Sequence, residues 1–219
     1  NLYRAGITIN EQEITVLDPV RVRHNELRSL TGWAALTGKV ALINREYWTV
    51  GGTDRQSGLV TLISHDGREK ILSPFENSTE DAQIYQPRII SVSEGDRMRF
   101  TRSDAERGYT GNSFWNVEQI DGQSMILRSQ DGQLTRRLDL NDPADMHTDL
   151  GYAVTAYGAQ GASSRFVITL EGTEGGRKRM ATKESGYVTL SRTKEHVQVY
   201  TDDRAGWLAE LRKNKGDRT

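Results

Sequence analysis

The sequence predicts an α/β fold in which one α/β domain is interrupted by a β-rich insertion. Three observations lead there. An alternating apolar and polar opening runs into helical spacing, a long middle reads as short strands between turn dipeptides, and the last third returns to strand, helix, strand. The α/β domain is therefore expected from 1–36 together with 146–219, and the insertion, most simply a small barrel, from 37–145.

In order, "ITINEQEITVLDP" alternates and ends at Asp18-Pro19. Asp caps a helix and Pro suits its first turn, so a helix is expected to start there. "VRVRHNELRSLTGWAAL" spaces Val22, Leu27, Leu30, Ala34 and Leu36 helically, with Gly38 as the stop. From Lys39 to about Leu140 come strand-like runs with Asp66-Gly67, Asp121-Gly122 and Asp131-Gly132 as tight hairpin turns. "LISHDGREKIL" resembles "ILRSQDGQLTRRL", which is accounted for either by duplicated units or by two generic hairpins. Beyond Pro143, "DLGYAVTAYGAQG" puts Leu150, Val154 and Tyr157 on one helical face. "RFVITLEG" reads as a buried strand, "SGYVTLSRTKE" as a short helix and "HVQVYTD" as a last strand, giving a largely parallel sheet. The tail "AGWLAELRKNKGDRT" reads as an amphipathic helix with Trp207, Leu208 and Leu211 inward.

Composition excludes several functions. With 29 basic against 30 acidic residues the net charge is −1, so nucleic acid can be held only by a local patch. No apolar run approaches the roughly 18 residues that span a bilayer, so no membrane partner is expected. The absence of cysteine removes disulfides, thiolate zinc sites and a Cys nucleophile and fits the cytoplasm. His24, His65, His147 and His196 lie far apart, so no metal site is expected. The start at Asn1, without an export signal, reads as a piece of a longer protein.

The motifs lie near the end. "TAYGAQGAS" at 155–163 and "YVTLSRTKEHVQVYTD" at 187–202 together resemble the fifth and sixth motifs of RecD-like superfamily 1 helicases. The resemblance implies that Thr155 meets a strand phosphate while Gln160, Gly161 and Arg192 face nucleotide between two RecA-like halves; Ser191 also matches. An Arg in that place stabilises charge on a transferring phosphoryl group. Where the family carries His-Lys-Ser, this chain has Tyr157, Gly158 and Ala159, and it contains no G-x-x-x-x-G-K-[ST] loop. The chain is thus expected to be non-catalytic and to hold no cofactor.

"EGDRMRFTRSDAERGYTGNSFWNVEQIDGQSMILRSQDGQ", 94–133, resembles the segment of conjugative relaxase/helicases in which an SH3-like barrel is inserted in the second RecA-like half. "TVLDPVRVRHNELRSL" resembles the opening of that half. Among these proteins, the F-type conjugative relaxases carry a vestigial helicase copy between relaxase and active helicase. The resemblance implies a fragment of that copy: a translocation signal read by a type IV secretion coupling protein, able to contact single-stranded DNA and delivered to the recipient cell within its parent. The other reading is a DNA-handling half of a working ATP-dependent helicase.

The candidate nucleic-acid contacts are Arg97, Arg99 and Arg102 in "DRMRFTR", Thr155, and Arg177, Lys178 and Arg179 in the loop "GGRKRMATK". Each has a plainer account. Glu94, Asp96, Asp104 and Glu106 surround the arginine strand, which also suits a solvated face. Gly158 and Gly161 also suit a helix cap, Arg192 a surface ion pair, and Trp48, Trp115 and Tyr109 either base stacking or a core.

Overall fold

The computed structural model describes residues 6, 9–75, 81–153, 155, 164–175 and 181–212. The chain divides into two compact units, Asn1–Tyr152 and Ala153–Thr219. The boundary therefore falls close to the expected 146, but the opening segment goes elsewhere. Strand β1 (Ile9–Val20) pairs antiparallel with β6 (Gln83–Glu94), so 1–36 builds the β-rich unit rather than joining the last third. The reason is the alternation itself, which sets Ile14 and Val16 beside Ile90 and Val92 in one core.

Asp18 and Pro19 do not start a helix. Both lie in β1, opposite Gln86 and Tyr85. The helical region breaks into α1 (His24–Leu27) and α2 (Leu30–Ala34), because Ser29 recaps the chain by accepting from the Gly32 amide at 3.0 Å. Gly32 permits the fold-back, since a Cβ there would fall 1.9 Å from the Glu26 carbonyl oxygen. Leu27 and Leu36 are buried as the spacing predicts; Ala34 is exposed, and Trp33, donating to the Leu27 carbonyl at 2.7 Å, fills the interior instead. Ser29→Ala is expected to cost about 1 kcal/mol, read as a lower urea midpoint with an unchanged slope.

Strands β2 (Val40–Ile43), β3 (Glu46–Asp54), β4 (Leu59–Ile63) and β5 (Glu69–Leu72) complete a six-stranded sheet in the order β1-β6-β2-β3-β4-β5. Strands β7 (Arg97–Phe100), β8 (Phe114–Ile120), β9 (Ser124–Ser129), β10 (Thr135–Asp139) and β11 (Thr148–Leu150) form a five-stranded sheet, β10-β9-β8-β7-β11. Among the described residues neither order closes on itself, so the expected barrel appears as two open sheets. One apolar cluster, around Trp33, Trp48 and Leu62, belongs to the six-stranded sheet; the other, around Phe100, Trp115 and Leu127, is shared with it, since Ile14, Val16, Ile90 and Val92 of β1 and β6 enter it. A third, smaller cluster of Leu17, Val40, Leu42 and Tyr85, with Tyr47 and Met146, forms a seam.

All three Asp-Gly turns join neighbouring strands as their dipeptides predict. The two similar hairpins share a bonding pattern, although the second is one residue longer. Gly67 donates to the Ser64 carbonyl and Gly132 to that of Ser129, while Ser64 Oγ accepts from the Arg68 amide and Ser129 Oγ from that of Leu134. Each hairpin joins the third and fourth strands of a meander, β2–β5 or β7–β10. The second strand of each meander carries a buried Trp and Val two apart, Trp48 and Val50 or Trp115 and Val117, just before a register shift. The likeness thus extends past the turns, which favours duplicated units over two generic hairpins.

In the second unit β12 (Ser164–Glu171) and β13 (Thr193–Thr201) pair in parallel, as the last third predicts. Helix α3 (Lys183–Leu190) starts two residues before the predicted run and ends before Ser191. Helix α4 (Arg204–Arg212) meets it where Leu211 closes on Gly186; a Cβ there would lie 2.9 Å from Leu211 Cδ2. Trp207 is buried, but Glu210 is buried with it and Leu208 is 36% exposed. The apolar run of β12 is not a buried strand: Phe166, Ile168 and Leu170 share one exposed face, because the period of a strand puts alternate residues together. Leu150 belongs to β11 rather than to a helix, and Val154 and Tyr157 lie outside the described residues.

Candidate nucleic-acid interface

Strand β7 alternates as predicted. Met98 and Phe100 enter the core, while Arg97 and Arg99 share the opposite face. Their charges are largely engaged. The Arg97 guanidinium lies 4.2 Å from the Phe114 ring centroid, and the Gln130 carboxamide oxygen accepts from it. Arg99 donates to Asn112 at 3.2 Å and to Asp149 at 3.3 Å. The same Asp149 accepts from Arg88, which also pairs with Asp18 at 2.5 Å. Three guanidiniums, those of Arg88, Arg97 and Arg99, thus face two carboxylates, leaving one net positive charge on this face.

Arg102 departs from them. Two residues past β7, it leaves the strand face and donates to the Tyr47 hydroxyl at 2.6 Å. That hydroxyl lies 2.8 Å from His147 Nε2, and the Tyr85 ring stands edge-on to the imidazole with centroids 4.7 Å apart. The Tyr47 hydroxyl thus bridges the Arg102 guanidinium and the His147 imidazole. Burial first, and then the Arg102 charge, push the His147 pKa down from 6.5 to about 4, with Asp104 opposing. Burial likewise pushes Tyr47 up to about 12. A cavity of about 160 Å³ opens here, lined by Pro19, Gln83, Tyr85, Thr101, Arg102 and His147. It shares Pro19, Gln83 and Tyr85 with a second cavity of about 440 Å³ that runs on toward Arg21 and Val22.

A third charged group, unmarked by any motif, centres on Asp145. This buried carboxylate accepts from Arg107 at 2.8 Å, from the Tyr109 hydroxyl at 2.9 Å and from the Asp139 amide at 2.9 Å. Arg107 also holds Asp142 at 2.7 Å. Burial, reinforced by the bond to Asp145, pushes Tyr109 up to about 12. Tyr109 also stacks on Phe100 at 4.4 Å, and Trp48, Trp115 and Tyr109 are all buried, so these aromatics belong to the core rather than to a stacking platform.

The residues matched to helicase motifs are only partly described. Thr155 is exposed. Arg192 sits half-buried in the turn between α3 and β13, where its carbonyl accepts from the Ser164 amide at 2.9 Å and its Nε has no hydrogen-bond partner. Gln160, Gly161, Arg177, Lys178 and Arg179 lie outside the described residues. Sequence reasoning found Arg102 but not His147, Tyr47 or Tyr85 beside it. A lone histidine carries no spacing signal, and its partners lie on distant strands, Tyr47 on β3, 100 residues away, and Tyr85 on β6, with β7 to β10 in between. Among the described residues no helix is long and apolar enough to cross a membrane.

No family model matches the chain. It is 48% identical over 206 residues to the multifunctional conjugation protein TraI of Escherichia coli strain K12, and 48% identical over the same length to a second Escherichia coli TraI sequence. Each match covers 93% of this chain, which spans 12% of the length of these curated relatives. Among solved structures, Bacteroides Pif1 bound to ssDNA aligns with a TM-score of 0.39 and 16% identity, over 51% of this chain and 30% of that one. The structure of two coordinating Pif1 helicases at forked dsDNA aligns with a TM-score of 0.38 and 17% identity, over 51% of this chain and 28% of that one.

Proposed function

The chain is homologous to a segment of the multifunctional conjugation protein TraI, and from that premise we propose that it is a non-catalytic module of a conjugative relaxase/helicase. In this reading it is a vestigial helicase segment that serves as a translocation signal, recognised by the coupling protein of a type IV secretion system, and it retains contact with single-stranded DNA. Its second unit then derives from the second RecA-like half of a superfamily 1 helicase, and the meanders from an SH3-like insertion. The parent works in the cytoplasm and is carried into the recipient cell. The observation that carries this reading is the identity sustained along 93% of the chain to a conjugation protein. Two features support it: the fifth-motif segment has lost its His-Lys-Ser side chains to Tyr157, Gly158 and Ala159, and of the three arginines on and beside the β7 face Arg88 and Arg99 are paired with Asp18 and Asp149.

A second reading, a DNA-handling half of a working helicase, is favoured by the retention of Thr155, Gln160 and Arg192. One experiment separates the two. A reporter protein fused to this chain is expected to reach recipient cells through the secretion channel when the unfused reporter does not. Arg192→Ala in the parent is expected to leave its DNA-stimulated ATPase unchanged. Failure of delivery together with loss of ATPase in that variant would favour the helicase half.

A further inference from the structure

We propose that the cavity at the seam of the two sheets is the seat of one phosphate of a single-stranded nucleic acid, held by Arg102, with the attached nucleoside lying in the adjoining cavity toward Arg21. This deepens the strand contact proposed above and rests on it, but it selects a site that the β7 face does not include. The argument begins with charge. Arg88, Arg99 and Arg107 each bond a carboxylate, and Arg97 is covered by the Phe114 ring. Arg102 bonds a neutral phenol and lines an open cavity. Its guanidinium has five N–H groups, and Tyr47 uses one of its nitrogens. The nearby acid, Asp104, is felt by His147 and Tyr47, but one of its oxygens accepts from the Arg107 amide at 3.1 Å.

The remaining donors converge on the same space. Thr101 lines it with Arg102, its amide fixed on the His147 carbonyl at 2.9 Å, and Gln83 lines it from β6, its Oε1 already accepting from Tyr85 at 2.7 Å, which turns its amino group to other acceptors. Arginine, a hydroxyl and an amide NH2 are the donor set of a phosphate oxyanion. At about 160 Å³ the cavity is of a size for a phosphate and small for a nucleoside. The neighbouring space of about 440 Å³ takes the larger group, with Pro19, Val22 and Ile84 giving apolar flanks and Arg21 a second cation. The shared residues Pro19, Gln83 and Tyr85 set the two cavities side by side, which suits a strand better than an isolated ion.

The test uses the whole chain, a fluorescein-labelled twelve-nucleotide oligothymidylate, and inorganic phosphate, with the His147 ring proton resonance as a local reporter. Arg102→Gln is expected to weaken oligonucleotide binding roughly tenfold or more and to lower the salt slope by about one. Arg102→Lys recovers part of the affinity. Arg21→Gln, which touches none of the seam bonds, weakens binding several-fold without changing the melting temperature, so the result does not depend on the folding of the Arg102 variants. Arg68→Gln, in the β4–β5 turn, leaves affinity unchanged. Oligonucleotide binding that is indifferent to Arg102 and Arg21, with no movement of the His147 resonance, would overturn the seat while leaving the strand contact standing. No oligonucleotide binding at low salt would overturn both. A His147 response to inorganic phosphate without oligonucleotide binding would overturn the strand assignment, since the cavity then takes only the free ion.

Discussion

Asp145→Ala is expected to destabilise the first unit by about 3 kcal/mol, within the range of broken buried charge networks. The carboxylate side chain is 6% exposed and satisfies three donors from three places: Arg107 beyond β7, the Tyr109 hydroxyl and the Asp139 amide at the end of β10. Truncation leaves the Tyr109 hydroxyl and the Asp139 amide without their acceptor, and each orphaned group carries a desolvation penalty. Arg107 keeps Asp142, which limits the loss. Tyr109 adds a second readout. Its phenol, held up at about 12 by burial and by the bond to Asp145, is expected to titrate at lower pH in the variant, followed by ultraviolet absorbance. Asp145→Asn, which accepts but carries no charge, is expected to fall between. A loss below the error of a denaturation curve would mean that the loop 141–147 closes over the site without it.

The second large effect is a dependence of stability on pH set by His147. Its folded pKa of about 4 lies below the ordinary 6.5 because burial and then Arg102 disfavour the cation. The unfolded chain therefore binds the proton that the folded chain refuses. Stability from this group is fully present above pH 6.5 and is lost as pH falls toward about 4, by about 3 kcal/mol at most. The structural event is specific. A protonated imidazole would set two cations, those of His147 and Arg102, around the Tyr47 phenol, with Asp104 opposing. Urea midpoints measured from pH 7 to pH 4 should fall steeply in the native chain and more gently in His147→Gln, which cannot titrate. Parallel slopes for the two would show that other groups govern the acid limb.

Much of the chain was legible from local signals. Each Asp-Gly dipeptide marked a hairpin: the aspartate caps the turn, and at Gly67 and Gly132, with φ of 84° and 73°, the glycine also supplies the backbone freedom it needs. The β2–β3 turn escaped notice because it uses Asn44 and Arg45, both with positive φ, in place of glycine. The break between α1 and α2 was also hidden, since an apolar spacing of three and four continues across Ser29 while the capping serine interrupts the backbone.

By itself, then, the sequence determined the strand-rich middle, the parallel strand pair with its helix at the end, the Asp-Gly hairpins and the alternation that turns Arg97 and Arg99 away from the core. These depend on neighbours within a few positions, where period and turn chemistry act directly. Only the tertiary structure decided that β1 pairs with β6, that the middle folds as two open sheets with one core shared between them, and that Arg99 and Arg88 share Asp149. It alone brought Arg102 to Tyr47, His147 and Tyr85. Those choices rest on burial and on charges that meet across 50 to 100 residues of chain, as Arg99 with Asp149 and Tyr47 with His147 do, and no local pattern encodes which partner such a group will find.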